Sequence, residues 1–214
     1  MQPIFITGIG TGIGKTLAAA VVTEALDASY WKPVQAGFED GTDSEWIGER
    51  ISNPHGRLHP ETYKLSLAAS PHIAARQEGV VIDLDRIVAQ FKTMGNRPLV
   101  IEGAGGLFVP LNDRQFIIDL IRMLDATVLL VSRNYLGSIN HSLLTATACR
   151  EHGLRVAGWI FNDQYGQYEH EIVQWSGLPS IASIPFTDHP GKAFVQAQAA
   201  IIRPALCHAL GLPG

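Results

Sequence analysis

Residues 8–16 read Gly8-Ile9-Gly10-Thr11-Gly12-Ile13-Gly14-Lys15-Thr16, a glycine-rich stretch that ends in Lys-Thr. An apolar run at Pro3–Thr7 precedes it and predicts a strand, and the amphipathic run Lys15–Leu26 predicts a helix. Glycines let backbone N–H groups approach phosphate oxygens closely, and the start of a helix favours negative charge. Lys15 would reach the terminal phosphates, and the Thr16 hydroxyl would bind Mg²⁺. The stretch therefore predicts a phosphate-binding loop, or P-loop.

This loop departs from the common pattern, which has a glycine at the position of Ile9; Gly8 lies one residue further back. A glycine-rich turn with a surface lysine is the alternative interpretation. We favour the P-loop because the strand, the glycines, the Lys15-Thr16 pair and the helix all occur together.

Short apolar runs alternate with longer amphipathic runs along the rest of the chain. This alternation predicts an α/β fold in which crossover helices cover both faces of a mainly parallel β-sheet. The length of 214 residues fits a single P-loop NTPase domain spanning residues 1–214. The predicted strands are Pro3–Thr7, Ser29–Pro33, Pro98–Glu102, Thr127–Val131, Val156–Asn162 and Ser180–Ile184. The predicted helices are Lys15–Leu26, Ser44–Ile51, Ser70–Glu78, Leu84–Met94, Gln115–Leu124, Ser138–His152, Glu169–Trp175 and Lys192–Leu210.

The composition limits the possible partners. The formal net charge is −4 and no basic run occurs, which argues against binding to nucleic acid. Cys149 and Cys207 are widely spaced without a CxxC pair, so we expect buried thiols rather than a zinc site or a disulfide. The apolar runs are too short to span a bilayer, and no leader segment precedes the first strand. We therefore expect a cytoplasmic protein without membrane contact.

Two more charged residues end predicted strands, where ligands bind in open α/β sheets. Glu102 is followed by Gly103-Ala104-Gly105-Gly106, whose small side chains leave room beside the backbone. A P-loop enzyme needs a carboxylate near its Mg²⁺, so Glu102 is a candidate metal ligand. Lys32 is a candidate for stabilising charge on a phosphate or a transition state. A solvated glutamate and a snorkelling surface lysine are the alternatives.

With these residues assembled, the chain resembles the dethiobiotin synthetases, the family that closes the ureido ring in biotin synthesis. The resemblance covers nearly the whole chain, and several motifs in order are far more specific than a P-loop alone. The motifs are Gly14-Lys15-Thr16, Lys32-Pro33-Val34-Gln35, Asp43, Ser70-Pro71-His72, Glu102-Gly103-Ala104-Gly105-Gly106, Leu136-Gly137, Ile139-Asn140-His141, Asn162 and Ile184-Pro185.

The resemblance implies the reaction and its cofactors. The substrates would be 7,8-diaminononanoate, CO₂ and ATP, with Mg²⁺ as cofactor, and the products dethiobiotin, ADP and phosphate. A carbamate formed on one amine would attack the γ-phosphate, and the second amine would close the ring on the resulting carbamic-phosphoric anhydride. Carbamate and triphosphate are both anionic, so the site must neutralise charge and align the reactants.

The resemblance also implies residue roles. The candidates for catalysis are Lys32, Lys15 and Thr11. The implied Mg²⁺ ligands are Thr16, Asp43 and Glu102. The implied nucleotide-binding residues are Gly12, Ile13, Gly14, Lys15, Thr16, Leu17, Asp43, Glu102, Gly103, Ala104, Gly105, Asn162, Pro185 and Phe186. The implied substrate-binding residues are Thr11, Lys32, Ala36, Gly137, Ser138, Ile139 and Asn140.

Some of these assignments depend on the family pattern alone. Asp43, in Thr42-Asp43-Ser44, could equally cap a helix. Asn162 resembles the asparagine that reads adenine, because an amide both donates and accepts hydrogen bonds. The segment 137–140 starts a predicted helix, whose free N–H groups suit a carboxylate. In the family it holds the substrate across a dimer interface, which implies a homodimer, whereas His141 is expected to be structural.

The chain also departs from the family pattern. Gly10 and Gly12 replace acidic or polar residues often found in the family's loop, and Ala36 stands where a Ser or Thr commonly touches substrate. A competing hypothesis is a partner-regulated P-loop switch ATPase of the chromosome- or septum-positioning class. Those proteins carry an additional lysine early in the loop, where this chain has Gly10, so we favour the synthetase.

Overall fold

The computed structural model describes residues 2–163 and 168–213. The strands are β1 (Ile4–Gly8), β2 (Ser29–Trp31), β3 (Val34–Ala36), β4 (Leu58–His59), β5 (Tyr63–Leu65), β6 (Leu99–Glu102), β7 (Thr127–Arg133), β8 (Arg155–Asn162) and β9 (Ser180–Ile184). The helices are α1 (Lys15–Ala25), α2 (Asp43–Gly48), α3 (Pro71–Gln77), α4 (Leu84–Phe91), α5 (Ile117–Met123), α6 (Ser138–Glu151), α7 (Glu169–Ser176) and α8 (Lys192–Leu210). All the predicted helices and strands are present, with shifts at their ends.

The main sheet has seven strands in the order β4-β2-β6-β1-β7-β8-β9, and its pairings are parallel. After β1 the chain adds β2 and β4 on one side and then inserts β6 between β2 and β1, and from β7 onward it adds strands on the other side of β1. The order therefore reverses beside β1, and such a switch point opens a crevice at the carboxyl ends of the strands. The predicted fold class, a mainly parallel α/β sheet, is confirmed.

Two buried apolar clusters cover the two faces of this sheet. On β1, Ile4 and Ile6 belong to one cluster, together with side chains of α1 and α8. Phe5, between them, belongs to the other cluster, together with side chains of α3, α4 and α5. Helices on both faces explain why the strands read as continuous apolar runs rather than alternating ones.

The chain leaves the main sheet after Trp31, earlier than the predicted strand end at Pro33. Proline has no N–H group to donate to a neighbouring strand. The Pro33 carbonyl instead accepts the N–H groups of Thr62 and Tyr63, at 2.9 and 3.0 Å. β3 then pairs with β5 as a separate two-stranded parallel sheet. We did not predict β3, β4 and β5, because strands of two or three residues carry no readable periodicity.

The two cysteines lie in the interior of the protein. Cys149 and Cys207 are buried free thiols, as predicted. Burial raises the pKa of Cys149 to about 12. Among the described residues, no helix combines the length and the apolar character that a membrane crossing requires.

Candidate active site

The P-loop joins the carboxyl end of β1 to the start of α1, beside the switch point of the sheet. Gly12 and Gly14 have φ values of 72° and 87°, in the left-handed region that favours glycine. A Cβ atom on Gly14 would lie 1.8 Å from Nδ2 of Asn162, so a larger residue does not fit there. The sharp turn directs the loop backbone and the side chain of Lys15 toward the crevice.

Lys15 is the first residue of α1, and its ammonium group donates a hydrogen bond to the Gly10 carbonyl at 2.7 Å. Burial lowers the pKa of Lys15 to about 8, an effect that Glu102 and Asp43 oppose and Lys32 reinforces. A bound anion would favour the charged form of this side chain. The loop is therefore suited to receive negatively charged phosphate.

Three oxygen-bearing side chains from different parts of the chain converge next to Lys15. The Thr16 hydroxyl lies 2.9 Å from Oδ1 of Asp43 and 2.9 Å from Oε1 of Glu102. A hydroxyl has one proton, so Thr16 donates to only one of these carboxylate oxygens at a time. The remaining oxygen contact is between electron-rich atoms, an arrangement that a cation would satisfy.

The donor set of Thr16, Asp43 and Glu102 fits Mg²⁺, which prefers oxygen ligands. The described residues hold no cluster of three or more His, Cys, Asp or Glu side chains placed for a metal. Mg²⁺ usually takes only one or two carboxylates and completes its shell with water and substrate phosphates. Two carboxylates and a hydroxyl beside a P-loop meet that requirement.

Asp43 reaches this position because it is the first residue of α2. The cap is the preceding residue, Thr42, whose side chain accepts the N–H of Glu45 while the Glu45 carboxylate accepts the N–H of Thr42. This capping box leaves the Asp43 side chain free of the capping role. The alternative interpretation of Asp43 as a helix cap is therefore wrong.

Lys32 lies between the two carboxylates. Trp31 pairs with Ile101 in the parallel register, so the next residues along the two strands, Lys32 and Glu102, lie side by side. The Lys32 ammonium donates to Oε1 of Glu102 at 3.2 Å and also to Oδ2 of Asp43. Burial would lower the pKa of Lys32, but Glu102 and Asp43 outweigh it and the pKa is raised. Lys32 is thus a buried ammonium held by two carboxylates, not a snorkelling surface lysine.

Tyr30 also contacts Glu102. Its hydroxyl donates to Oε2 of Glu102 at 2.9 Å, and both side chains are buried. Burial and the neighbouring Glu102 charge raise the pKa of Tyr30 well above its usual value. Tyr30 is not among the residues predicted from the sequence. The alternation of side chains along a strand, which places Tyr30 and Lys32 on the same side, was the available signal.

Two clefts flank the P-loop. The phosphate cleft, of about 740 Å³, contains the charged cluster. It is lined by Thr11, Gly12, Gly14, Lys15, Thr16, Lys32, Gln35, Ala36, Asp43, Ala68, Ala69, Ser70, Pro71, Glu102, Ala104, Gly105 and Val109. The outer cleft is larger, about 1020 Å³, and lies on the other side of the loop. It is lined by Ile9, Gly10, Thr11, Gly12, Ile13, Arg133, Asn134, Tyr135, His141, Asp163, Pro185 and Phe186.

Most of the residues selected from sequence line one of these clefts. Several do not line either one within the described parts of the chain: Leu17, Gly103, Asn162, Gly137, Ser138, Ile139 and Asn140. Gly103 packs against Phe5, where a Cβ would lie 2.7 Å from the ring. Asn162 donates from Nδ2 to the Ile13 carbonyl at 3.1 Å, so this amide braces the loop from behind. His141 contacts the Tyr135 hydroxyl at 2.7 Å, away from the charged cluster.

Comparison with known proteins identifies the family. A sequence model for a family described as an AAA domain matches residues 2–192. The ATP-dependent dethiobiotin synthetase of Cytophaga hutchinsonii is 50% identical over 173 residues, covering 81% of this chain and 82% of that protein. The chain belongs to the ATP-dependent dethiobiotin synthetase family. A second dethiobiotin synthetase, from Christiangramia forsetii, is 40% identical over 204 residues, covering 95% of this chain and 97% of that protein.

As a member of the dethiobiotin synthetase family, the protein is an ATP-using enzyme. Its solved structural neighbours show the fold. A ParA family ATPase from Chlorobium tepidum aligns with a TM-score of 0.55 at 16% identity, covering 98% of this chain and 94% of that chain. A chain of the MinC:MinD cell division protein complex of Aquifex aeolicus aligns with a TM-score of 0.60 at 15% identity, covering 100% of this chain and 98% of that chain. At such low identity these neighbours support the P-loop fold alone.

Proposed function

We propose that this protein forms dethiobiotin from 7,8-diaminononanoate, CO₂ and ATP, releasing ADP and phosphate. The observation that carries the proposal is the convergence of Lys15, Lys32, Thr16, Asp43 and Glu102 in the phosphate cleft of a dethiobiotin synthetase family member. Two buried cations beside two carboxylates suit a reaction in which an anionic nucleophile approaches a polyanionic nucleotide.

The nucleotide would lie across the P-loop, with its phosphates toward Lys15 and its base in the outer cleft. The loop N–H groups from Gly12 to Leu17 and the start of α1 favour the phosphates. Pro185 and Phe186 line the outer cleft and would flank the base. Asn162 lines neither cleft, so reading the base would require its amide to exchange the Ile13 carbonyl for the edge of the base. Phe186 is 62% exposed, and its ring offers a stacking surface at the rim of the outer cleft. The strand β6 and its Gly103–Gly105 extension would border the phosphates on the opposite side.

Thr16, Asp43 and Glu102 would hold Mg²⁺. When bound, the ion neutralises charge on the β- and γ-phosphates.

One amine of the diamine would add to CO₂, forming a C–N bond and releasing a proton to solvent, to give a carbamate. The first ATP-dependent step would join this carbamate to the γ-phosphoryl group. A carbamate oxygen forms a bond to phosphorus while the bond to ADP breaks, which gives the carbamic-phosphoric anhydride. Lys15 and Lys32 would stabilise the charge that accumulates between the two anions. The raised pKa of Lys32 favours a fixed positive charge over a role as a base. The candidate Thr11, at the junction of the two clefts, would orient the carbamate.

The second step would close the ring. The remaining amine attacks the carbonyl carbon, a C–N bond forms, and phosphate leaves with an oxygen that came from CO₂. The C–O bond to the phosphate breaks, and the departing phosphate takes up the proton that the amine loses. Ala36 lines the phosphate cleft but has no hydroxyl, so a contact there would use its backbone.

We further propose a homodimer in which the partner subunit supplies the segment 137–140. This segment lines neither cleft in its own chain, and no side chain caps the start of α6. Leu136 is 95% exposed and Leu144 is 61% exposed. Apolar side chains beside the start of a helix without a side-chain cap suit an interface that binds the carboxylate end of the substrate.

The central experiment supplies purified protein with Mg·ATP, bicarbonate and 7,8-diaminononanoate. Dethiobiotin should appear by mass spectrometry, and phosphate release should require the diamine. Diamine-independent phosphate release without dethiobiotin would refute the synthetase and favour the switch ATPase.

A labelling experiment tests the proposed intermediates. With ¹⁸O-labelled bicarbonate at short reaction times, each phosphate released should carry one ¹⁸O atom, because the attacking oxygen comes from CO₂. Unlabelled phosphate alongside normal dethiobiotin yield would exclude the carbamic-phosphoric anhydride.

Mixing two inactive variants tests the shared site. Lys32→Gln removes a group in the phosphate cleft, and a bulky Asn140→Trp blocks the segment proposed to face the partner. A mixed dimer contains one intact site, so mixing should restore activity to about one quarter of wild type or less. Absence of any recovery, with mass measurements showing mixed dimers, would rule out a site shared between subunits.

A further inference from the structure

We infer that Tyr30 is a positioning residue for Glu102: its hydroxyl holds one carboxylate oxygen so that the other faces the metal and phosphate side of the cleft. The effect of this positioning on turnover rests on the proposed function.

The two oxygens of Glu102 have separate partners. Oε2 accepts the Tyr30 hydroxyl at 2.9 Å, whereas Oε1 lies 2.9 Å from the Thr16 hydroxyl and 3.2 Å from the Lys32 ammonium. The terminal torsion of a glutamate has a broad preference, so the side chain itself does not fix which oxygen points where. The hydrogen bond from the Tyr30 hydroxyl to Oε2 fixes the orientation of the carboxylate.

The strand register makes this division possible. Tyr30 pairs with Val100, so the hydroxyl extends along the sheet from a position two residues before Glu102. Tyr30 and Lys32 are also two residues apart, and side chains with that spacing share a side of the strand. One strand end therefore supplies donors to both oxygens of a single carboxylate on its neighbour.

The surroundings of Tyr30 show why this donor cannot be replaced by water. Tyr30 lies in the apolar cluster with Ile47, Ile51 and Val100, all fully buried. Glu102 itself is 1% exposed. Removing the hydroxyl would leave Oε2 buried with no donor, and the carboxylate would turn toward Thr16 and Lys32 to satisfy both oxygens.

The test compares ADP binding with and without Mg²⁺ by calorimetry. In Tyr30→Phe, the gain in affinity that Mg²⁺ brings should fall about tenfold, because a hydrogen bond to a charged group is lost. Metal-free ADP affinity should stay as in wild type. In turnover, the apparent KM for Mg²⁺ should rise while the KM for the diamine remains the same.

Tyr63→Phe is the matched control. Tyr63 is buried like Tyr30, and its hydroxyl also makes a hydrogen bond. That hydroxyl accepts the Asp83 N–H, and Tyr63 does not line the phosphate cleft. Tyr63→Phe should leave the Mg²⁺ effect unchanged. Equal losses in both variants, or an unchanged Mg²⁺ effect in Tyr30→Phe, would overturn the inference.

A double variant covers the case in which Tyr30→Phe does not fold. In the Glu102→Gln background, adding Tyr30→Phe should cause no further loss of the Mg²⁺ effect and should restore folding if the single variant lacks it. A further loss, or persistent unfolding, would overturn the inference. These binding measurements use no diamine, so a wild-type protein that fails to make dethiobiotin would refute the proposed function separately.

Discussion

The ammonium group of Lys32 lies 3.2 Å from Oε1 of Glu102, although the two residues are 70 positions apart in the chain. Parallel pairing of β2 and β6 brings them together, and Lys32 is almost fully buried against the carboxylate. This ion pair joins the candidate cation site to the candidate catalytic lysine. Substitutions on either side of it can therefore be compared.

Lys32→Gln should reduce kcat by about 10²- to 10³-fold, because one fixed donor to the transition-state charge is lost. Gln retains hydrogen bonding to the carboxylates, so circular dichroism should show a folded protein. The control is Lys64→Gln, since Lys64 is exposed and stacks over Phe38. Near-normal turnover of a folded Lys32→Gln variant would show that the buried ammonium only supports the structure.

Thr42→Ala should affect stability, whereas Asp43→Asn should affect the Mg²⁺ requirement. Thr42→Ala removes the cap of α2 and should lower the free energy of unfolding by about 1 kcal/mol. Asp43→Asn keeps the cap but weakens the oxygen set, so it should raise the Mg²⁺ concentration needed for half-maximal activity. Urea denaturation and Mg²⁺ titration of activity measure the two effects. A stable Thr42→Ala protein with an unfolded Asp43→Asn protein would contradict the assignment of the cap.

Gly14→Ala should abolish nucleotide binding, whereas Gly10→Ala should be tolerated. A Cβ at Gly14 meets Asn162 at 1.8 Å and carries a left-handed φ of 87°, which costs about 1–2 kcal/mol for an alanine. A Cβ at Gly10 meets no atom within 4 Å. Calorimetry with Mg·ADP distinguishes the variants. Equal ADP affinities would mean that the loop can rearrange without cost.

The free energy of unfolding should fall as the pH rises, in part because of the buried thiol of Cys149. Its pKa is raised to about 12 by burial, so the folded state keeps the thiol proton that the unfolded chain releases above about pH 8.5. The contribution of Cys149 is therefore complete below that pH and is lost progressively toward pH 12, with a slope of at most about 1.4 kcal/mol per pH unit. Urea denaturation from pH 8 to 10 should show a smaller decline for Cys149→Ala than for wild type. Parallel curves would contradict the shifted pKa.

The sequence predicted the parts of the protein whose signals are local. The P-loop combines its glycines, lysine and threonine in one stretch, and strands covered on both faces appear as apolar runs. β3 and β5 were not predicted, because their pairing depends on contacts across the chain rather than on periodicity. The early end of β2 depends on how Pro33 uses its carbonyl.

The residues of the charged cluster are predictable from the sequence, but the contacts between them are visible only in the structure. Lys32, Asp43 and Glu102 were selected singly, but their mutual contacts follow from strand register and from the placement of α2. Tyr30 was not selected because a tyrosine within a buried strand is ordinarily a packing residue. Asn162 was selected for the base, and its observed hydrogen bond to Ile13 adds a role in bracing the loop.

The part of the site that carries Asp43 is built on the small sheet of β3 and β5, and we expect it to open locally at a lower free energy than the part that carries Thr16 and Glu102. Glu102 ends a strand of the seven-stranded sheet and Thr16 lies in α1, whereas Asp43 lies between the two three-residue strands of the small sheet along the chain. Regions with so few backbone pairings open at a lower free energy than central strands. We therefore expect Asp43, the third of the proposed Mg²⁺ ligands, to move away by local opening more readily than Thr16 or Glu102. Hydrogen exchange of the backbone amides should be faster at Val34–Ala36 than at β1. The site would then form in two steps, with Asp43 joining Thr16 and Glu102 when β3 pairs with β5.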